Sequence, residues 1–279
     1  MKVNTRPRPA LGDTLERLYR QHNRRAGIAS DPVRFVHGRD LADREIAALI
    51  ASSLAYGRVG HILKSVARVL ELMPSPAAFL TQSSRASIRR AVGGFRHRFT
   101  TADDLAGMLC RVKGALARYG SLERCFASGM KPGDETVVPA LTAFVEKITG
   151  CEGVQGFSLL PSPARGSACK RLNLFLRWMV RRDEVDPGGW RLVPASKLVV
   201  PLDTHMHRIS RELRFTRRKQ ADLRTALEVT AAFRELVPGD PVRYDFTLTH
   251  LGISGEVSRL FPGRISGART SRGGGRGKR

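Results

Sequence analysis

No run in this sequence approaches the roughly twenty consecutive apolar residues that a membrane-crossing helix needs. Paired cysteine spacing is missing too. Cys110, Cys125, Cys151 and Cys169 stand apart with no C-x-x-C. That argues against a zinc site or a four-cysteine iron–sulfur cluster and fits a reducing cytoplasm. Each cysteine reads as a small buried hydrophobe. Period-two alternation of apolar and polar residues is lacking, which speaks against a sheet. Residues 1–8 lead into no apolar core, so no secretory signal is expected. Acid is in short supply: 25 Asp+Glu face 48 Lys+Arg, a formal charge of +23. An excess of that size points to a polyanionic partner, nucleic acid ahead of an anionic membrane surface. Part of it lies at the end of the chain, in Arg264, Arg269, Arg272, Arg276, Lys278 and Arg279. Most of it belongs to the body.

What is present is helical spacing. A first helix begins with Leu11, Leu15, Leu18 and Tyr19 and stops at Gly27 and Asp31-Pro32. Residues 41–55 form the most apolar helix, with Asp43 and Glu45 in its first turn, where acids favour the helix dipole. The next, 59–72, is stopped by Pro74 and Pro76. Further helices are expected over 84–92, 102–119 with Thr101 as N-cap, 121–128, and 135–148 with Pro139 near its first turn. The stretch Phe95-Arg96-His97-Arg98-Phe99 alternates rings and cations. It reads as a loop whose two phenylalanines plug the core, or as a nucleic-acid contact. Residues 150–166 are rich in Gly, Pro and Ser and mark the best internal boundary. Leu172, Phe175, Leu176 and Met179 then define a helix face, followed by a polar loop over 183–197. Another helix covers 222–236. Asp240-Pro241 caps a last one, which runs through Leu251 and stops at Gly252. The Gly/Arg/Ser tail, 267–279, cannot form a core. The expectation is an all-α, two-lobed helical domain over 1–266, with a lobe boundary near 150–166 and a disordered basic tail.

Two residues carry the candidate chemistry. Val199-Val200-Pro201-Leu202 is an apolar run that stops at Asp203, and an amphipathic helix with Met206, Ile209 and Leu213 on its apolar face begins there. Asp at that position is an ordinary N-cap, and an N-cap can also be a catalytic acid. His205 and His207 are two apart and share no helix face, so no metal site is expected. Lys170, in Ser167-Ala168-Cys169-Lys170-Arg171, falls near a helix start. The positive end of the helix dipole favours the neutral amine that a nucleophile needs. Against this, Lys170 shares a polar stripe with Asn173 and Arg177, where a solvated or phosphate-contacting lysine is the default.

The string Pro201-Leu202-Asp203-Thr204-His205-Met206-His207-Arg208-Ile209 resembles the aspartate motif of helix-hairpin-helix DNA glycosylases. That resemblance implies a catalytic Asp203. In bifunctional members a lysine of the second hairpin helix is the nucleophile, and Lys170 is the residue that best matches. The usual Leu-Pro-Gly-Val-Gly hairpin is replaced by residues 160–166. With the long Lys170-to-Asp203 separation, which includes the loop around Trp190, this is more similar to the archaeal 8-oxoguanine glycosylase branch. The iron–sulfur cysteines of the endonuclease III type are absent. Most of residues 12–254 resembles, more closely still, the uncharacterised bacterial domain of unknown function 2400 family. The matching blocks are Ala55-Tyr56-Gly57-Arg58, residues 94–99, residues 166–173 and Tyr244-Asp245-Phe246.

The glycosylase resemblance implies base flipping, attack of Lys170 on the sugar, and charge stabilisation by Asp203. His205, Tyr56 and Trp190 are expected as supporting residues, the two rings as base-stacking candidates that also suit the core. Arg165, Arg171, Arg208, Arg211, Arg217, Arg218 and Lys219 would neutralise phosphate. The partner is then double-stranded DNA, with no cofactor, a monomeric state and a cytoplasmic, nucleoid-associated location. A non-catalytic nucleic-acid-binding module of the same fold, or an RNA- or ribosome-associated basic protein, fits the same charge.

Overall fold

The computed structural model describes residues 8–150 and 159–256, and they are all-α apart from one short hairpin. The boundary expected near 150–166 lies partly outside these residues; Cys151 and the 267–279 tail lie wholly outside. The chain starts with α1 (Arg8–His22), two 3-10 turns (Arg25–Ser30 and Pro32–Phe35), α2 (Leu41–Ser53) and α3 (Val59–Glu71). There follow α4 (Pro76–Gln82), α5 (Arg85–Ala91), the paired strands β1 (Arg96–His97) and β2 (Thr100–Thr101), and α6 (Ala102–Tyr119). The rest is α7 (Leu122–Ala127), α8 (Val138–Thr149), α9 (Lys170–Val180), α10 (Thr204–Glu212), α11 (Leu223–Leu236) and α12 (Asp245–Ser254). Among the described residues no helix is long and apolar enough to cross a membrane.

Helix α2 is the organising element. Asp40 caps it by accepting the Asp43 N–H at 2.9 Å. From Ile46 to Ala51 every side chain is buried, the pattern of a helix enclosed on all faces. It packs on α9 most extensively, and also on α3, α4 and α7. Asp43 lies in its first turn and Glu45 just beyond it, and both bond the starts of other helices. Asp43 Oδ1 accepts from Ser75 Oγ at 3.0 Å and from the Ala77 N–H at 2.8 Å, at the start of α4. Glu45 accepts the Leu122 and Glu123 N–H groups at 2.9 and 2.8 Å, at the start of α7. Helix N-termini carry N–H donors without intrahelical partners, and α2 supplies the missing acceptors. Burial pushes the Glu45 carboxyl up from its usual range while these donors pull against it.

Four expectations change with the fold. Pro76 stops nothing: it opens α4, where a proline forfeits no intrahelical bond. Gly252 does not end the last helix, which runs to Ser254 with Gly255 at φ 78° as its cap. A Cβ on Gly252 would stand 2.9 Å from Ile209 Cδ1 and 3.4 Å from His205 Cβ, so this glycine lets α12 approach α10 closely. Asp240-Pro241 lies in a turn ahead of α12, and Tyr244 immediately precedes that helix. In the 95–99 stretch the two phenylalanines part company. Phe95 is in the core, and Phe99 is 80% exposed at the hairpin turn.

Cys110, Cys125 and Cys169 are buried free thiols. Burial pushes Cys125 and Cys169 up to about 11, so neither is a thiolate nucleophile near neutral pH.

Candidate functional site

The apolar run before Asp203 is anchored in the core. Val199, Val200 and Leu202 are buried, and the Val200 N–H is donated to Thr230 Oγ1 of α11 at 3.0 Å. The chain surfaces at Asp203, where the backbone is still extended, and turns into α10. Met206 and Ile209 of α10, with Leu213 just beyond it, are buried as the spacing predicts. Asp203 Oδ1 accepts the Met206 N–H at 2.8 Å, a complete N-cap. Its second oxygen remains for another partner.

That partner is Lys170. The Lys170 Nζ stands 3.5 Å from Asp203 Oδ2, with side-chain exposures of 34% and 15%. The residue before Lys170, Cys169, occupies the left-handed region at φ 46°. It is held by its N–H to Ser167 Oγ at 3.1 Å and its thiol to the Pro161 carbonyl at 3.2 Å. A non-glycine residue rarely sits there without support. The turn before it, Pro163–Arg165, closes on Gly166 at φ 77°. Leu160, Pro161 and these residues occupy the place where the glycosylase resemblance expects a hairpin.

The polar stripe of α9 differs from the solvated face expected of it. Asn173 and Arg177 are buried, and Asn173 Nδ2 donates to the Ala168 carbonyl at 3.0 Å. Arg177 pairs with Asp186 at 3.1 Å and with Asp245 at the start of α12. Arg181, just past the helix, pairs with Asp183 at 2.8 Å, Asp240 at 2.9 Å, and Asp186. The stripe therefore runs inward, and Lys170 is its open end. Burial pushes Asp245 up to about 6; Arg177 pulls against this, and the Asp203 carboxylate adds to the rise. Asp245 thus feels the charge of Asp203. From the sequence Asp245 stands out only as part of the Tyr244-Asp245-Phe246 block. Its cue was an acid two residues after Arg243, at the head of an apolar helix.

The supporting residues divide. Trp190 is 4% exposed, packed against Phe126 and Phe175, and its Nε1–H is donated to Glu45 Oε1 at 2.8 Å. Neither face of its ring is open to a base, so the base-stacking expectation fails there and the core alternative holds. Tyr56 is half-buried, and its hydroxyl donates to the His97 carbonyl at 2.8 Å. The Arg171 guanidinium lies 5.2 Å above its ring. His205 is half-buried against Gly252 of α12.

Of the expected phosphate contacts, Arg165, Arg211, Arg217 and Lys219 are exposed. Arg208 is exposed, and its guanidinium donates to the Gly252 carbonyl at 2.9 Å. Arg171 donates to the Ser53 carbonyl at 2.8 Å. Arg218 pairs with Asp222 at 2.6 Å and donates to Thr225 Oγ1 at 2.8 Å. Arg171 and Arg218 therefore hold the fold as well as adding charge. Two basic segments are tied together by a bridge between Ser167 and Asp222 and by the Leu223 N–H on the Gly166 carbonyl at 3.0 Å. The bridge joins the segment of Arg165, five residues before Lys170, to the segment that follows the 217–219 cations.

A groove of about 480 Å³ opens elsewhere, lined by Leu41, Ala77, Lys113, Leu116 and Glu123 among others. None of the residues expected at the site lines it.

A family model described as "Protein of unknown function (DUF2400)" matches residues 31–254. No curated protein and no solved structure matches the chain.

Proposed function

We propose a role for this chain, which belongs to the DUF2400 family of proteins of unknown function, as a DNA glycosylase with lyase activity on an oxidised base. The observation that carries the reading is the approach of Lys170 Nζ to Asp203 Oδ2 at 3.5 Å, both side chains still reached by solvent. An amine and a carboxylate in contact at the surface of a basic protein suit attack on a sugar held by its phosphates.

In this reading Asp203 takes a proton from the Lys170 ammonium. The free amine forms a bond to the anomeric carbon as the glycosidic C–N bond breaks, and the base leaves with that electron pair and is protonated. The resulting amine–sugar adduct opens to a Schiff base, from which loss of the sugar C2 proton expels the 3′ phosphate by β-elimination. In the alternative role Asp203 keeps its charge and opposes the positive charge that develops on the sugar. Exposed cations at 165, 211, 217 and 219 hold the backbone, so affinity falls steeply with salt. A flipped base is the requirement of any such step on duplex DNA. The resemblance suggests 8-oxoguanine as the base.

Borohydride reduction on a lesion-bearing duplex tests the step. A covalent protein–DNA adduct is expected from the wild type and none from Lys170→Ala. An adduct that survives Lys170→Ala rejects Lys170 as nucleophile.

A second reading is a DNA-binding module without catalysis. It is favoured by the completeness of the Asp203 cap, which accounts for that carboxylate by stability alone. Wild-type trapping separates the two readings, because a binding module forms no adduct. Asp203→Asn keeps an oxygen for the Met206 N–H but removes the charge, so in the first reading trapping should fall while DNA binding persists.

A further inference from the structure

The hairpin at 96–101 is closed by a tight turn. Strands β1 and β2 pair Arg96 with Thr101 and His97 with Thr100, leaving Arg98 and Phe99 as a two-residue turn. The first corner of such a turn favours glycine, asparagine or aspartate, yet Arg98 holds it at φ 53°. Phe99 is 80% exposed, the most exposed large hydrophobic side chain among the described residues. The Arg98 guanidinium lies 5.5 Å from the centre of that ring. Gly57, at φ 96°, leaves room for the arginine, since a Cβ there would stand 2.7 Å from Arg98 Cδ.

Behind the turn the hairpin is pinned. The Tyr56 hydroxyl bonds the His97 carbonyl and lies 2.6 Å from Thr100 Oγ1. His97 is buried between Ser65 Oγ at 2.9 Å and the Tyr56 carbonyl at 3.1 Å. Burial lowers the His97 imidazole from its usual range, which keeps it neutral in these bonds. Tyr56 in turn carries the guanidinium of Arg171, the neighbour of Lys170. An unbroken line of contacts joins the turn to the candidate site.

We propose that the Arg98–Phe99 turn is a base-stacking tip, which binds an unpaired nucleobase in DNA through the Phe99 ring while Arg98 meets the adjoining phosphate. The proposal rests on the DNA-binding reading above and names the feature of the DNA that is sought. An aromatic ring has nothing to offer a phosphate, but every base presents a π-face to it. A base still stacked within a duplex has no such face free. The ring is flanked by exposed cations, Arg96 and Arg98, rather than by the contiguous apolar patch that a protein partner requires. A tip already fixed in place loses little freedom on binding.

The test uses the full chain and two duplexes of one sequence. One carries 2-aminopurine opposite an abasic analogue, the other 2-aminopurine paired with thymine. Phe99→Ala should weaken binding to the unpaired base about tenfold, at the lower end of what base–aromatic stacking provides, and should abolish quenching of 2-aminopurine. Binding to the paired duplex should be unchanged, and Phe99→Trp should retain both the affinity and the quenching. Equal losses on the two duplexes, no loss on either, or quenching that persists in Phe99→Ala overturns the tip. The readout is independent of Lys170 chemistry. Stacking without borohydride trapping rejects the glycosylase reading alone, and trapping with an inert Phe99 rejects the tip alone.

Discussion

The two ends of one polar stripe on α9 differ in almost everything but sign. At the C-terminal end, Arg177 and Arg181 lie 3% and 4% exposed and are saturated by Asp183, Asp186, Asp240 and Asp245. There the helix dipole favours a cation. The paired acids push both guanidiniums up from their usual range against the cost of burial. At the N-terminal end, Lys170 has Asp203, solvent, and a dipole that works against its charge. A network that is dry and fully paired holds a fold. An ion pair that is half-open, with one oxygen already committed to a cap, is free to exchange its partner for a substrate. Burial and pairing, rather than residue type, separate the closed end from the open one.

The largest effect is expected at the closed end. Arg177→Met leaves Asp186 and Asp245 buried without their shared cation, and should cost about 3–5 kcal/mol in denaturant unfolding. Lys170→Met, at the open end, should cost under about 1 kcal/mol in the same measurement, as expected of a partly exposed pair. Similar losses from both would erase the distinction.

Asp203 can be dissected next. Asp203→Ala removes the cap of α10 and should cost about 1 kcal/mol, whereas Asp203→Asn should keep most of it. Thermal unfolding of the two variants checks the order, and an equal loss would mean that the stability comes from the charge.

A smaller effect links the two ends. Asp245 titrates at about 6 against a usual 3.8, through burial first, with the Asp203 carboxylate adding to the rise. The native state therefore holds this proton more tightly than the unfolded chain does. The stability this proton confers is whole below 3.8 and is lost as pH rises through about 6. In Asp203→Asn the Asp245 carboxyl should titrate lower, as followed by carboxyl-carbon NMR. An unchanged midpoint would separate the two acids. The smallest change is expected at the surface, where Arg211→Ala should lower the slope of log affinity against log salt by about 1.

Much of the fold was legible because helical periodicity and capping chemistry are local. Thr101 with Asp104 forms a full capping box, and Asp203 caps α10 where its apolar run ends. The Lys170–Asp203 pair was legible only through a motif, since their chain separation says nothing about distance. Other features depended on neighbours. Asp43 and Glu45 looked like dipole partners of their own helix, but α4 and α7 claim them. Trp190 and Phe99 were both rings beside charged residues, and packing put one in the core and the other in solvent.

The all-α class, most helix starts, and the pairing of an apolar run with an acid at Asp203 are written in the chain itself. Each of these follows from spacing and from side chain to backbone bonds within a few residues. Packing alone turns the stripe Lys170, Asn173, Arg177 inward and exposes Asp245 to the charge of Asp203. It also decided that Gly252 is a point of close approach. The reason is that burial and pairing of charge depend on which elements meet, and a helix face does not reveal its neighbour until the chain has folded onto it.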